Sequence, residues 1–237
     1  MDRVYVSYNY YSNVLDSVLL GPQLNVHRET VGIEKTFLGG DASIGLRLPI
    51  LETRTSHLNE SGLGDLSVVF KYAPYINCKT GDVLSGGLVV TVPSGRDFQA
   101  TGAPNTHPVI LQPWTGSILT FGDFYMQGFT SYAFPLDDRI DSSDWFNDVG
   151  IGYFLYRSPC ADSLLAAVIP TLECHYTEAV NHRGVNGFPG GLDIVSLTGG
   201  VTLGIGAKSQ LNIGVNVPIS GPRPYDVEGL IQLNCRF

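Results

Sequence analysis

Charged residues are scarce in this chain. Of its 237 residues only 15% are Asp, Glu, Lys or Arg, whereas soluble domains carry about 25%. Only four of these are lysines, and Lys plus Arg (14) are outnumbered by Asp plus Glu (22). Because no basic stripe is present to neutralise phosphates, the composition argues against a nucleic-acid partner.

Long apolar runs and metal-binding cysteine spacings are also missing. No stretch approaches the 18 to 20 apolar residues of a membrane-spanning helix, since the apolar run 164–172 is interrupted by Pro170. The four cysteines form no C-x-x-C pair and have no histidines at zinc spacing; they are Cys78, Cys160, Cys174 and Cys235. We therefore predict neither a metal site nor a cofactor.

The N-terminal residues lack the basic and apolar segments of a signal peptide. If the protein is exported, we expect this chain to be a mature or truncated form. Glycine (28), proline (14) and aromatic residues (11%) are plentiful, and hydrophobic residues reach 43%. This apolar content excludes disorder, and the composition leaves an all-β protein, either a soluble sandwich or a membrane barrel.

Apolar and polar residues alternate with a period of two along most of the chain. In 226–237, for example, Ile231 and Leu233 alternate with Gln232 and Asn234. The pattern predicts about twelve strands: 3–11, 25–37, 42–50, 65–73, 83–93, 108–121, 124–135, 147–156, 164–177, 193–206, 209–220 and 226–237.

The connections between these strands alternate between short and long. Segments 38–41, 122–123 and 207–208 are short, whereas 94–107 and 178–192 are long. Outer-membrane barrels have short periplasmic turns and long extracellular loops, and the predicted strands match the roughly 9–11 residues of a spanning strand.

We therefore predict an all-β fold, a transmembrane antiparallel up-and-down β-barrel of about twelve strands. It forms a single domain over 1–237 in the outer membrane of a bacterium, with membrane lipid as its partner. The alternative is a soluble sandwich or lipocalin-like protein with long strands.

The C-terminus has the pattern of an outer-membrane assembly signal. Leu233, Cys235 and Phe237 are apolar at alternate positions, and the last residue is aromatic. We expect the barrel-assembly machinery to recognise them. Aromatic residues also cluster near the predicted strand ends, for example at Tyr8, Tyr10 and Tyr11, which predicts girdles at the two membrane interfaces.

Two segments resemble a known family. The stretch Gly62–Tyr72 (GLGDLSVVFKY) is similar to a G-x-G-D strand, and Leu88–Gly95 (LVVTVPSG) is similar to the strand that follows it. Both resemble the bacterial outer-membrane transporters labelled for the meta-pathway of phenol degradation. The resemblance extends loosely over 25–237. It implies a barrel of about twelve strands that passes small, often apolar or aromatic, molecules.

If the apolar faces point outward, a polar set faces the lumen. It comprises Arg28, Glu34, Arg47, Lys71, Glu173, His175, Asn212, Asn216, Glu228, Gln232 and Arg236. These residues either fill the barrel with ion pairs or line a pore and set its selectivity. Because glycines at inward positions leave room, we favour a narrow channel for small molecules over a structural or adhesive barrel with a filled lumen.

A less favoured alternative is an outer-membrane hydrolase. Glu173 and His175 share one strand face, so that the carboxylate could orient the imidazole. However, no Gly-x-Ser-x-Gly elbow is present, and we predict no enzyme activity.

Two connections invite functional interpretations. The acidic segment 137–148 is predicted to be a solvated loop rather than a cation site, because its spacing is not that of an EF-hand. Segment 181–191 is a candidate for an inward-folded constriction.

Overall fold

The structure, a computed structural model, describes most of the chain, with gaps in several connections. The described residues are 1–14, 24–55, 59–95, 108–139, 141–160, 163–181, 193–220 and 223–237. None of them belongs to a helix long and apolar enough to cross a bilayer.

In the described ranges all but one of the regular elements are strands, and these form a single sheet. The exception is a 3-10 turn at Leu38–Gly40. The strands are β1 (Arg3–Val14), β2 (Leu24–Phe37), β3 (Ala42–Arg54), β4 (Asn59–Leu63), β5 (Leu66–Asn77), β6 (Asp82–Val92), β7 (Ile110–Phe121), β8 (Phe124–Pro135), β9 (Asp144–Tyr153), β10 (Tyr156–Arg157), β11 (Leu165–Ala179), β12 (Ile194–Ile205), β13 (Ser209–Pro218) and β14 (Val227–Arg236).

Twelve of these strands close into an antiparallel barrel. Strand β14 pairs with β1, and β9 pairs with β11, so the ring has no free edge. Short β4 extends the hairpin of β3, and β10 pairs with the start of β11. Closure satisfies the backbone hydrogen bonds without water, and the predicted fold class is confirmed.

The outer surface of the barrel is apolar. On β1, Val4 and Val6 are 40% and 50% exposed, whereas Tyr5 between them is only 8% exposed. The same alternation places Ile213, Val215 and other apolar side chains outside on the remaining strands. This reversal of the soluble pattern is typical of outer-membrane barrels, whose outward residues contact lipid.

The short turns and both chain ends lie at one end of the barrel, which we call the turn end. The opposite end, with the longer connections, is the loop end. Gly122 in the two-residue turn between β7 and β8 has φ 66°, a conformation that most other residues avoid. In barrels of this type the turn end faces the periplasm.

Exposed aromatic side chains mark both ends, as predicted. The turn end carries Phe37, Phe121, Phe124, Tyr153 and Phe237, and the loop end carries Tyr8, Tyr132 and Trp145. Several aromatics near the predicted strand ends instead face inward, among them Tyr11, whose phenol bonds to Arg28 inside the barrel. Tyr125 and Phe146 line an internal cavity, because each is one residue out of phase with an exposed neighbour.

The strand predicted at 147–156 begins and ends earlier, at Asp144–Tyr153. The predicted acidic loop is therefore shorter, and Asp144 and Asp148 are strand residues. The segment is acidic enough to resemble a loop. However, outward Trp145 and Val149 alternate with the inward aspartates as in the other strands.

Candidate functional site

The inner surface of the barrel has two parts. We call the inner face of β1, β2, β3 and β5 the paired wall, because its long side chains bond to one another. We call the inner face of β7–β9 and β11–β14 the cavity wall, because most of the lining of the internal cavities comes from these strands.

Glu34 is the centre of the paired wall. Its Oε2 accepts hydrogen bonds from Arg3 Nη2 at 2.7 Å and from Lys71 Nζ at 2.8 Å. Its Oε1 accepts from Ser43 Oγ at 2.7 Å. The Glu34 side chain is only 12% exposed, so one carboxylate joins four neighbouring strands in the low-dielectric interior.

Aromatic rings lie flat over inward glycines. Tyr5 is paired with Gly32 in the β1–β2 register, and a Cβ on Gly32 would lie 2.1 Å from Tyr5 Cζ. Tyr125 covers Gly152 in the same way, with a Cβ distance of 2.3 Å. At these positions the room that glycine leaves is occupied by a ring, contrary to the expectation that it widens the lumen.

Arg47 completes the paired wall, and Arg28 lies nearer the loop end. Arg47 Nε donates to Tyr5 OH at 2.9 Å, which holds the Tyr5 ring over Gly32. Arg28 Nη2 donates to Tyr11 OH at 2.5 Å. These bonds hold both guanidinium groups against the wall.

Short polar side chains form a ladder along the cavity wall. Asn212 Oδ1 accepts from Thr202 Oγ1 at 2.8 Å and from Gln210 Nε2 at 2.9 Å. Asn212 Nδ2 donates to Gln232 Oε1 at 3.1 Å. Each bond joins neighbouring positions on the wall, so the ladder covers the backbone without crossing the lumen.

His175 lies in a second network on this wall. Its Nδ1 is 2.9 Å from Asp148 Oδ1, and its Nε2 is 2.8 Å from Thr198 Oγ1. Glu173, the carboxylate that the sequence pairs with His175, is farther away, at 3.9 Å from Nε2. Asp148 on β9 therefore orients the imidazole. The prediction that Glu173 orients it is wrong.

The order Asp148, His175, Thr198 has the connectivity of an acid, base and hydroxyl triad. Thr198, however, is only 7% exposed, and its Oγ1 also accepts from Asn216 Nδ2 at 2.7 Å. Asn216 in turn accepts from Tyr225 OH at 2.8 Å. Because each of these side chains is hydrogen-bonded to the next, we interpret the series as a structural network across β9, β11, β12 and β13.

Cavities lined by described residues lie along the cavity wall, among them an upper, a lower and a side cavity. The upper cavity, about 560 Å³, reaches from Tyr225 and Glu228 at the loop end to the middle of the barrel. The lower cavity, about 980 Å³, opens between the turns at the turn end. A side cavity of about 270 Å³ lies beside Trp114 and Phe129.

The cavities meet at a common boundary. Gln127 lines all three, and the upper and lower cavities also share Tyr125, Thr202 and Gln210. These four side chains, from β8, β12 and β13, are uncharged. They separate the space at the loop end from the space at the turn end.

The residues predicted to face the lumen are distributed over both walls. Arg28, Glu34, Arg47 and Lys71 belong to the paired wall. Glu173, His175, Asn212, Asn216, Glu228 and Gln232 line the upper cavity. Arg236 is exposed and lines the lower cavity at the turn end.

The three residues of the predicted assembly signal lie at the end of the closing strand. Leu233 and Phe237 are exposed on the outer face, and Cys235 shares their phase on β14. Phe237 N donates to Asp2 O, joining the two chain ends at the seam of the barrel.

All four cysteines are free. Within the described ranges no group of three His, Cys, Asp or Glu residues could hold a metal ion. The predicted constriction at 181–191 lies, except for Asn181, outside the described residues.

Several important residues were missed from the sequence. Arg3 and Asp148 stand in segments that resemble a chain end and an acidic loop. Gln127 lies in β8, a strand whose alternation is blurred by inward aromatics. Met126, the residue before Gln127, is 42% exposed. The alternation of β8 about this outward side chain is the signal from which inward Gln127 could be predicted.

The two segments that carry the family resemblance meet at the loop end. Asp65 Oδ1 accepts from Gly95 N at 2.8 Å and from Ser94 N at 3.1 Å. Leu66 N donates to Ser94 Oγ at 2.8 Å. The Asp of G-L-G-D thus holds the turn formed by V-P-S-G, which gives the two motifs a shared structural role.

No family model matches the chain, and no curated protein matches it. Solved structures share its fold. An outer membrane channel from Pseudomonas putida F1 has a TM-score of 0.74 at 12% identity, covering 100% of this chain and 95% of that one. The KdgM porin gives 0.58 at 10% identity, covering 98% and 99%. The beta domain of the Bordetella autotransporter BrkA gives 0.59 at 9%, covering 100% and 99%. The chain therefore has the fold of bacterial outer-membrane barrels.

Proposed function

We propose that the protein is a passive channel for small molecules in the bacterial outer membrane, built as a single barrel domain over 1–237. The observation that carries the proposal is the series of cavities that share Gln127 and together extend from the loop end to the turn end. Cavities of about 560 and 980 Å³ accommodate small solutes. No cofactor and no enzymatic step is needed for such passage.

The solute class is the finer part of this proposal. The family resemblance implies apolar or aromatic molecules, and Trp114 and Phe129 beside the side cavity support transient contact with a ring. Their ring centroids are 5.9 Å apart and their planes differ by 26°. Asp65 accepts a hydrogen bond from Gly95 N and so joins the two motif segments. This contact and the aromatic pair beside the side cavity support membership of the phenol-degradation transporter family.

Planar-bilayer recording of the refolded protein tests the channel. We expect discrete conductance steps, and we expect Gln127→Trp to reduce them several-fold because the indole would fill the shared boundary. Met126→Trp is the matched control, since the neighbouring side chain faces lipid and the conductance should stay unchanged. Absence of any current from correctly folded protein would overturn the proposal in favour of a structural or adhesive barrel, which the filled paired wall favours.

We further propose that Leu233, Cys235 and Phe237 are read by the barrel-assembly machinery. Leu233 and Phe237 are exposed on the outer face and Cys235 shares their phase, which supports this role. Phe237→Asp should lower the amount of protein in the outer membrane several-fold, measured by heat-modifiable migration on a gel. Phe237→Tyr, which keeps the ring, should assemble normally. Normal assembly of the Asp variant would count against the signal.

The hydrolase alternative has a direct test. Purified protein should show no ester or peptide hydrolysis that depends on His175. An activity that is abolished in His175→Ala, while conductance is retained, would contradict the non-enzymatic function.

A further inference from the structure

The upper and lower cavities carry opposite charge. Among the described residues, the lining of the upper cavity includes the carboxylates Asp148, Glu173 and Glu228 and neither Lys nor Arg. The described lining of the lower cavity includes four basic residues and neither Asp nor Glu. The basic residues are Lys79, Arg157, Lys208 and Arg236.

The partners of the carboxylates leave the upper cavity anionic. Asp148 bonds to His175, and Glu228 Oε1 accepts from the neutral amide of Asn9 at 2.7 Å. Glu173 lies 3.9 Å from His175. Even with the imidazole protonated, three carboxylates face one cation on this lining.

Cations elsewhere in the lumen are engaged with the paired wall. Arg3 and Lys71 bond to Glu34, and Arg47 bonds to Tyr5. Arg28, nearer the loop end, bonds to Tyr11, whose phenol also lies beside Glu228. None of these four basic side chains belongs to the described lining of the upper cavity.

Among the described residues, the basic residues of the lower cavity have one ion pair, and it is a long one. Arg157 Nη2 lies 3.9 Å from Asp123 Oδ1, and its guanidinium stands over the Phe154 ring at 3.6 Å. The uncharged boundary of Tyr125, Gln127, Thr202 and Gln210 separates this basic space from the acidic one. The charge of the cavity lining therefore changes sign along the barrel axis.

This separation of charge acts across the whole width of the path. A sphere of 560 Å³ has a radius of about 5 Å, whereas the Debye length is about 10 Å at 0.1 M salt. The charged lining therefore controls which ions occupy each cavity, with cations concentrated above the boundary and anions below it.

We propose that the lumen is an axially bipolar pore that favours small zwitterionic solutes over cations or anions of the same size. The inference rests on the proposed channel function. A cation is attracted to the upper cavity and repelled from the lower one, and an anion experiences the reverse. A zwitterion that spans the boundary places its ammonium group among the carboxylates and its carboxylate among the basic groups, so that neither cavity opposes it.

The same charge profile makes the pore rectify. When the loop end is positive, cations enter through the acidic cavity and anions enter through the basic cavity, and both accumulate at the boundary. The opposite polarity withdraws both ions from the boundary and depletes it. Conductance is therefore higher with the loop end positive.

Single-channel recording in 0.1 M KCl measures this asymmetry. We expect about a twofold or larger ratio of conductances at opposite voltages, falling towards one in 1 M KCl, where the Debye length is only about 3 Å. Sidedness is assigned in a cysteine-free background, from the chamber in which an impermeant maleimide alters the current of Ala207→Cys channels.

Charge variants test the cause of the asymmetry. Lys208→Gln with Arg236→Gln should abolish most of the rectification and raise cation selectivity. The matched control, Lys35→Gln with Arg139→Gln, removes two positive charges outside the cavities and should leave the ratio unchanged. Equal ratios in the two double variants would overturn the inference.

Solute flux tests the favoured class. Four-carbon probes are compared in proteoliposomes at tracer concentration in 0.1 M KCl: 4-aminobutyrate, 1,4-diaminobutane, succinate and erythritol. We expect 4-aminobutyrate to enter at least threefold faster than the dication or the dianion. In the Lys208→Gln, Arg236→Gln variant this advantage over the dication should be lost.

The outcomes distinguish a failure of the bipolar pore from a failure of the channel. A protein that conducts and passes erythritol, but with a symmetric current and no preference for the zwitterion, overturns the bipolar pore and leaves the channel intact. A protein that passes neither ions nor erythritol overturns the channel, and the bipolar pore with it.

Discussion

The paired wall and the cavity wall share one strand geometry and differ in where their side chains bond. On the paired wall, Arg3 and Lys71 reach across strands to Glu34, and the extended side chains occupy the space in front of the backbone. On the cavity wall, Asn212 bonds sideways to Thr202 and Gln232. A polar interior is therefore not in itself an open one, because side-chain length and bond direction decide how much space remains.

The largest expected effect on stability comes from a substitution at the centre of the paired wall. Glu34→Ala leaves Arg3 and Lys71 without their carboxylate, and these side chains are 30% and 26% exposed. Losing one partner of a buried ion pair costs about 3–5 kcal/mol. Partial exposure reduces this to about 2–4 kcal/mol of unfolding free energy, measured by urea titration in lipid vesicles. Glu173→Ala on the cavity wall is the control and should cost about 1 kcal/mol or less. Equal losses would contradict the distinction between the walls.

The same substitution on both walls sharpens the comparison. Gly32→Ala forces its methyl group into the Tyr5 ring, which Arg47 holds in place. Overpacking of this kind costs about 1–3 kcal/mol. Gly152→Ala meets Tyr125, whose ring borders the cavities and can move into them. We expect a loss of under about 1 kcal/mol there, but a reduced conductance.

Urea titration and single-channel recording of the two glycine variants check this pair. Stability should fall mainly in the Gly32 variant, and conductance should fall mainly in the Gly152 variant. The reverse assignment would mean that the Tyr5 side of the lumen is the open one.

A smaller effect is expected from the polar ladder. Asn212→Val removes three hydrogen bonds, but its partners can turn to water in the adjoining cavity. The net loss should therefore be about 1 kcal/mol, measured by urea titration as before. A loss as large as that of Glu34→Ala would show that the cavity wall is as closely packed as the paired wall.

The smallest expected effect lies outside both walls, at the turn end. Lys35 Nζ donates to Asp2, and Thr36 N and Oγ1 donate to it as well. These bonds lower the pKa of Asp2 to about 2 from 3.8. A lowered carboxyl pKa stabilises the fold above pH 3.8, and this contribution is lost as the pH falls towards 2.

The test is the thermal midpoint of the protein between pH 5 and pH 2. Asp2→Asn should lower the thermal midpoint slightly at neutral pH and flatten the decline below pH 4, so that the two profiles converge near pH 2. The exposed Asp41→Asn at the neighbouring turn is the control. An unchanged pH profile in the Asp2 variant would show that this contact does not contribute.

Much of the fold follows from local pattern. The alternation in 226–237 predicts a strand whose observed bounds are Val227–Arg236, because one lipid-facing side chain at every second position is a requirement of each strand separately. The short turn at 122–123 is likewise local, since Gly122 adopts the positive φ that the tight turn demands.

The interior could be predicted less well because it depends on register. Nothing local to Gly32 indicates that Tyr5 will lie over it, and only the pairing of β1 with β2 brings them together. Asp148 meets His175 through the pairing of β9 with β11, although it lies at the end of an acidic segment that resembles a loop. The inward phase of Tyr125 follows only once Met126 is known to face lipid.

Cysteine accessibility along the two walls tests the central claim most directly. In a cysteine-free background, Gln127→Cys, Thr202→Cys and Gln210→Cys represent the cavity wall, Ser43→Cys the paired wall, and Met126→Cys the lipid face. A small positively charged, membrane-impermeant thiol reagent should react rapidly with the three cavity-wall cysteines and lower the single-channel current. It should leave the current through the Ser43→Cys and Met126→Cys channels unchanged. Rapid block at Ser43→Cys, with no reaction at Gln127→Cys, would contradict the account and place the path along the other wall.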